Sequence, residues 1–241
     1  MAIKATQLHY DFIRKFNRIN SASGRYISVA ERDAYLNEGL LIYFENRVAL
    51  AELNPLIRND FRQFEHKKYC LSCTDADDKC CFAEYPDNFY RLLRTVTVAD
   101  TDICSEEKEL LTHIIQSDDI TEALKSPFWS PSYDYEETIA DEAGKGLYVY
   151  HNGEFNIKRV CIDYYRKPQK IAAPSLAVAG SYVDAEGNTV TQDLDLELDS
   201  TFAWRKIVDI AVLLAARDVS DYPDFETQLA KILQVEKLYT T

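Results

Sequence analysis

Four of the chain's six cysteines fall within twelve residues, in the stretch YCLSCTDADDKCC from Tyr69 to Cys81. Thiolates this dense can hold zinc, exchange electrons or fill small apolar spaces. A zinc site needs four ligands converging on tetrahedral positions, with each Cys-x-x-Cys on a tight turn. Here KKYCLSC and KCCFAE flank TDADD, which reads as a hairpin turn between two strands. On strands, Cys70 and Cys73 face opposite ways, and so do Cys80 and Cys81. The spacing therefore predicts no metal site, and adding His66 to the set Cys70, Cys73, Cys80 and Cys81 does not repair the geometry. A redox pair would want a helix N-terminus beside it to favour the thiolate, and none adjoins this segment. Cys104 and Cys161 stand alone and read as small core residues.

Other chemistry is sparser. The sequence has no phosphate-cradling glycine loop, no GxSxG and no HExxH. His9, His66, His113 and His151 are scattered singly, which suits structural or surface roles. The acidic runs TDADD, QSDDI and DYEET lack the spaced ligands of an EF-hand loop and read as solvated turns. These observations predict a protein that is not an enzyme and carries no cofactor. Two alternatives stay open. One is a small zinc-stabilised protein-binding module using the four clustered cysteines. The other is a carboxylate-dependent enzyme drawing on Asp118, Asp119, Glu136 and Glu137.

Composition narrows the class. The 241 residues suffice for one large domain or two small ones, and 46% hydrophobic with 12% aromatic content argues for a packed core. Twenty-seven basic against 40 acidic residues give a formal net charge of −13. Phosphate wrapping is disfavoured by that balance, since no Lys/Arg stripe is present to release counterions. The start, MAIKATQLHYDFIRKF, lacks the apolar stretch of a signal peptide, and no run reaches the roughly 18 apolar residues of a membrane span. The expectation is a soluble chain made in a reducing cytoplasm, with free thiols and no membrane partner.

Periodicity supplies the elements that position these residues. Leu8, Phe12, Phe16 and Ile19 form one helical stripe, and Ser28 with Glu31 makes a capping box ahead of a second helix whose face carries Leu36, Leu40, Tyr43 and Phe44. Pro55 marks its end. From Phe61 the pattern shifts to short runs rich in Val, Ile, Tyr and Thr, including TVTVAD, LYVYHNGEFNI and KRVCIDYYRKP. Asn152-Gly153 supplies hairpin-turn chemistry between two of them, and GSYVDAEGNTVTQD reads as a second hairpin turning at Ala185 to Asn188. SDDITEALKS gives a short helix begun at Asp118 or Asp119, followed by a loop punctuated by Pro127 and Pro131. Asp199 and Ser200 cap a late helix, STFAWRKIVDIAVLLAARD, apolar on most sides, and Pro223 begins a last amphipathic one. The class is α+β: N-terminal helices (1–60), a central antiparallel β module (61–198) and C-terminal helices (199–241) that pack with the N-terminal ones into one domain.

Several of these stretches resemble a known family. INSASGRYISVAERDAYLNEG before a long helix, then PDNFYRLL, QSDDITEALKSPFWSPSYDYEET, LYVYHNGEFNIKRVCIDYYRKP and ELDSTFAWRKIVDIAVLLAARD, are similar to the neck or ring proteins of crAss-like tailed bacteriophages. Their order also resembles the adaptor and tail-tubular class of short-tailed phages, and the likeness runs from about Ile19 to Tyr239. Gly39, inside a helix, and the cysteine cluster depart from the pattern. The resemblance implies a structural virion protein that forms a cyclic ring in the phage neck with copies of itself, binds the portal protein and joins it to neighbouring ring or tail proteins. DNA would pass through without specific binding, repelled by an acidic channel. Such a head–tail connector would be made in the host cytoplasm and reside in the virion. Loops left free by the core are available for neighbours, which makes Trp129, Pro131 and Tyr133 the interface candidates.

Overall fold

A computed structural model describes residues 3–19, 26–54, 57–58, 61–77, 79–101, 107–184, 186–198, 201–219 and 225–234. Cys104, Pro55, Ala185, Asp199, Ser200 and Pro223 lie outside the described residues. The chain divides into two compact units: Met1–Phe61 with Pro168–Thr241, and Arg62–Lys167.

In the first unit, α1 (Ala5–Ile19) and α2 (Val29–Leu53) meet a late helix, α4 (Thr201–Val219), and a last helix, α5 (Phe225–Gln234), packs on α4. Leu8, Phe12 and Phe16 are buried, as their common stripe requires. At the start of α2, the Ser28 hydroxyl accepts from Glu31 N at 3.2 Å, and the Glu31 carboxylate accepts from Ser28 N at 2.7 Å. Two otherwise orphaned donors are thereby satisfied. Leu36, Leu40, Tyr43 and Phe44 all turn inward. The continuous buried run from Ile210 to Ala216 shows that α4 is enclosed on most sides, as its unbroken apolar sequence predicts.

Gly39 does not interrupt α2. A Cβ there would lie 2.9 Å from the Ile207 carbonyl oxygen and 3.1 Å from Ala211 N, both main-chain atoms of α4. The glycine is what lets the two helices approach so closely.

A polar cluster ties this unit's irregular segment to its helices. His9 Nε2 lies 2.6 Å from Asp33 Oδ1, and both residues are buried. Asp33 Oδ2 accepts from Ala173 N at 3.2 Å and from the Tyr182 hydroxyl. Burial, followed by the Asp33 contact, raises the Tyr182 pKa above its usual value, so that side chain remains a donor. Asn37 adds bonds to both the N–H and the carbonyl of Ile171, at 2.7 and 2.8 Å. The 168–198 stretch, assigned from sequence to the β module, is thus bound to α2 instead. Within it, β9 (Tyr182–Val183) pairs with β10 (Thr189–Val190), which is the expected second hairpin.

The second unit is a curled eight-stranded sheet. Its strands are β1 (Glu65–Ser72), β2 (Thr74–Asp77), β3 (Cys80–Glu84), β4 (Phe89–Asp100), β5 (Lys108–Ile115), β6 (Glu137–Ala143), β7 (Gly146–Tyr150) and β8 (Asn156–Arg166). The order is β1-β8-β4-β5-β6-β7-β3-β2, and among the described residues only β5 and β6 pair in parallel. Curling brings β3 against β1 and β8 around a core of Leu71, Ala83, Leu147, Val149, Val160 and Ile162.

Two turn assignments change. β7 and β8 are not neighbours, so the Asn152-Gly153 turn redirects the chain across the sheet rather than closing a hairpin. Gly153 takes φ +89°, and buried Phe155 anchors the crossing beside Ala99 and Leu110. The segment TDAD is strand rather than turn, pairing with β3 through Thr74↔Phe82 and Asp75↔Cys81. Among the described residues, no helix is long and apolar enough to cross a membrane.

Candidate interaction surface

The cysteine cluster is organised by covalent bonds across strands. Cys70 and Cys161 sit directly opposite in the β1–β8 ladder and form a disulfide, and Cys73 bonds to Cys81. Cys80 remains a buried thiol. The expectation of six free thiols is therefore corrected, as is the view of Cys161 as an isolated core residue. Its partner lies 91 positions away in sequence, and only strand pairing brings the two together. The opposed directions expected for Cys70 and Cys73 do hold. Cys73 packs toward the sheet's core, while Cys70 lines a depression with Cys161. The zinc set of Cys70, Cys73, Cys80 and Cys81 is consequently not assembled, and among the described residues no cluster of three or more His, Cys, Asp or Glu could hold a metal ion.

The depression over Cys70–Cys161, about 200 Å³, is bordered by Lys68, Arg94, Arg159, Glu109 and Asp163. Apart from Arg94, which makes no ion pair among the described residues, its charges are matched. Lys68 Nζ lies 3.7 Å from Glu109, and Arg159 reaches Glu107 at 2.7 Å. Asp163 accepts from Lys68 N at 2.7 Å, across the bulge that places Lys68 at φ +50°. Mixed charge of this kind selects no anion.

These bridges carry a stability prediction. Closing a 91-residue separation removes far more unfolded-state freedom than closing one of 8. Reduction of both bonds by a dithiol reagent should lower the stability of the β unit by roughly 4 kcal/mol or more, with Cys70→Ser more damaging than Cys73→Ser. Superimposable urea melts of oxidised and reduced protein would contradict the pairing.

The carboxylates considered for catalysis are dispersed. Asp118 and Asp119 are exposed in a 3-10 turn (Ser117–Asp119) before α3 (Ile120–Lys125). Glu136 takes φ +58° and pairs with Lys108 at 3.8 Å, and Glu137 opens β6 with its carboxylate 3.8 Å from His113. Five pockets on the described residues have linings that include none of the four. The remaining histidines are equally separate, His66 lying against Tyr164 and His151 Nδ1 accepting from Gly153 N.

The loop after α3 exposes three large aromatic side chains. Phe128 is 87% exposed, Trp129 58% and Tyr135 82%. The three sequence candidates separate here. Trp129 is presented to solvent, but Pro131 is buried, and Tyr133 packs against Phe155 at 6.1 Å under the Lys108 ammonium. Pro131 and Tyr133 are therefore anchors of the loop, while Phe128 and Tyr135, missed in the sequence, are its outward members. The distinction lay in which aromatic finds a core partner, a tertiary matter. Ser132 and Glu137 exchange two main-chain hydrogen bonds at 2.8 and 3.1 Å, and Ser130 N donates to Ser126 O at 3.0 Å. The backbone of this loop is held from within.

No protein-family model matches the chain, and no curated protein matches it.

Proposed function

We propose that this chain is a structural ring protein of a tailed-phage neck, connecting the portal to the tail and lining the DNA exit channel. The observation that carries the reading is the braced loop exposing Phe128, Trp129 and Tyr135. Large aromatic side chains offered to water on a fixed backbone lose little conformational freedom on docking and dominate protein interfaces. The resemblance of its sequence stretches to neck and ring proteins implies the partners: the portal, other ring or tail proteins, and further copies in a cyclic ring. A net charge of −13 suits a channel wall that lets DNA slide, and it opposes self-association of the lone subunit at low salt.

Imaging of purified virions tests the proposal and should show the chain in cyclic symmetry at the neck. The isolated protein should sediment as one small species. The double change Phe128→Ala with Trp129→Ala should leave the melting temperature nearly unchanged, since both side chains are exposed, yet reduce incorporation into particles about tenfold or more. Absence of the wild-type chain from purified particles would sink this reading.

A further inference from the structure

The β4–β5 ladder is shorter than either of its strands. Register pairs run only from Val96↔Leu111 to Ala99↔Lys108, although β4 begins at Phe89 and β5 continues to Ile115. Beyond the ladder each strand keeps its other neighbour. β4 stays paired with β8 through Leu92↔Tyr164 and Thr95↔Ile162, and β5 with β6 as far as Ile115↔Asp141. The two strands thus diverge and leave two strand edges facing one another across a slot of about 500 Å³. Leu93, Arg94 and Thr95 line one wall and Leu111 and Ile114 the other, with Glu142 at the side.

Three features of the slot point to a missing strand. Strand edges whose ladder has ended present main-chain donors and acceptors, and an added strand satisfies them. Thr95 is only 3% exposed, yet its buried hydroxyl has no hydrogen-bond partner among the described residues. An unmet buried polar atom is costly unless something arrives to bond it. By contrast Thr112, opposite, already shares a 2.7 Å hydrogen bond with Thr97. Leu111 and Ile114 are also among the exposed large apolar side chains of this unit.

Charge identifies the occupant's chemistry. Arg94 is exposed and makes no ion pair among the described residues. Glu142 is already engaged, its carboxylate accepting from the Tyr85 hydroxyl at 3.1 Å. The slot's uncommitted charge is therefore positive.

We propose that the slot between β4 and β5 accepts an extended segment of a partner protein, apolar where it passes Leu111 and Ile114 and acidic where it passes Arg94. The inserted strand extends both broken ladders, places a backbone or side-chain group on the Thr95 hydroxyl, and covers the two apolar side chains. Four residues of β5 (112–115) and seven of β4 (89–95) lie beyond the ladder. The occupant is correspondingly short, about five residues or ~17 Å of strand. This inference stands independently of the ring reading.

The test uses the full chain and a library of random nine-residue peptides displayed on filamentous phage. Selection should enrich sequences alternating apolar and acidic residues, and a synthetic consensus peptide should bind in calorimetry. Arg94→Glu should weaken that peptide about tenfold or more and shift the selected sequences from acidic to basic. Thr95→Val should weaken binding several-fold without lowering the melting temperature, because it removes a hydroxyl with no partner among the described residues. Amide exchange at Leu93–Thr95 and Thr112–Ile115 should slow on binding. Selection that enriches nothing, or peptides indifferent to Arg94→Glu that leave those amides unprotected, would overturn the proposal. Self-association of the chain that Arg94→Glu abolishes would give the slot to a second copy and overturn it equally.

Discussion

Replacing Gly39 by valine should destabilise the helical unit by about 3 kcal/mol or more, the upper range for overpacking an interior contact. The reason is the nature of the obstacle. A Cβ at this position meets the Ile207 carbonyl oxygen and Ala211 N, which belong to the backbone of α4 and cannot rotate aside as a side chain could. Helix propensity alone argues the other way, since alanine is favoured over glycine by roughly 1 kcal/mol in a helix interior. Gly39→Ala therefore separates the two effects. The clash should win, leaving Gly39→Ala less stable than the parent by about 1 kcal/mol and Gly39→Val much less so. Thermal melts would decide it, and an alanine variant more stable than the parent would show that α2 and α4 do not approach as described.

The second large effect is expected at Asp33. Removing its carboxylate by Asp33→Ala leaves the His9 ring, the Tyr182 hydroxyl and the Ala173 N–H without their common partner in a buried site. Breaking a buried, hydrogen-bonded pair from one side typically costs about 3–5 kcal/mol. Tyr182→Phe removes one donor and leaves the others bonded, so its cost should be nearer 1 kcal/mol. Chemical denaturation of the two variants checks the ordering. Equal costs would mean that Asp33 serves the tyrosine alone and that the His9 contact contributes nothing. Because Ala173 and Tyr182 lie in the 168–198 stretch, amide exchange in that stretch should accelerate in Asp33→Ala before the helices themselves loosen.

What the sequence determined by itself was everything whose cause lies within a few residues. The Ser28–Glu31 capping box, the Leu8/Phe12/Phe16 stripe and the all-round apolar α4 each depend on neighbours three or four positions apart, and each is present. The α+β class follows from the same local signals, because the change from helical to alternating periodicity is visible near Phe61. Even the opposed directions of Cys70 and Cys73 needed only the strand's period of two.

Tertiary structure alone decided the pairings. Nothing near Cys70 announces Cys161, and the Asn152-Gly153 turn has hairpin chemistry although β7 and β8 end up with different neighbours. The same is true of the unit boundary at Lys167, which depends on Asn37 and Asp33 reaching the 168–198 stretch from α2. Pro131 and Tyr133 turned inward while Phe128 and Tyr135 turned out, because core space existed beside Phe155 for only some of the loop's aromatics. Gly39 joins the two levels. By local propensity it is a flaw in a helix, and its purpose becomes visible only when the backbone of α4, some 170 residues later, is laid against it. Local periodicity reports what a segment can become, whereas contacts between distant segments are selected by fit and burial in three dimensions, which no short window of sequence contains.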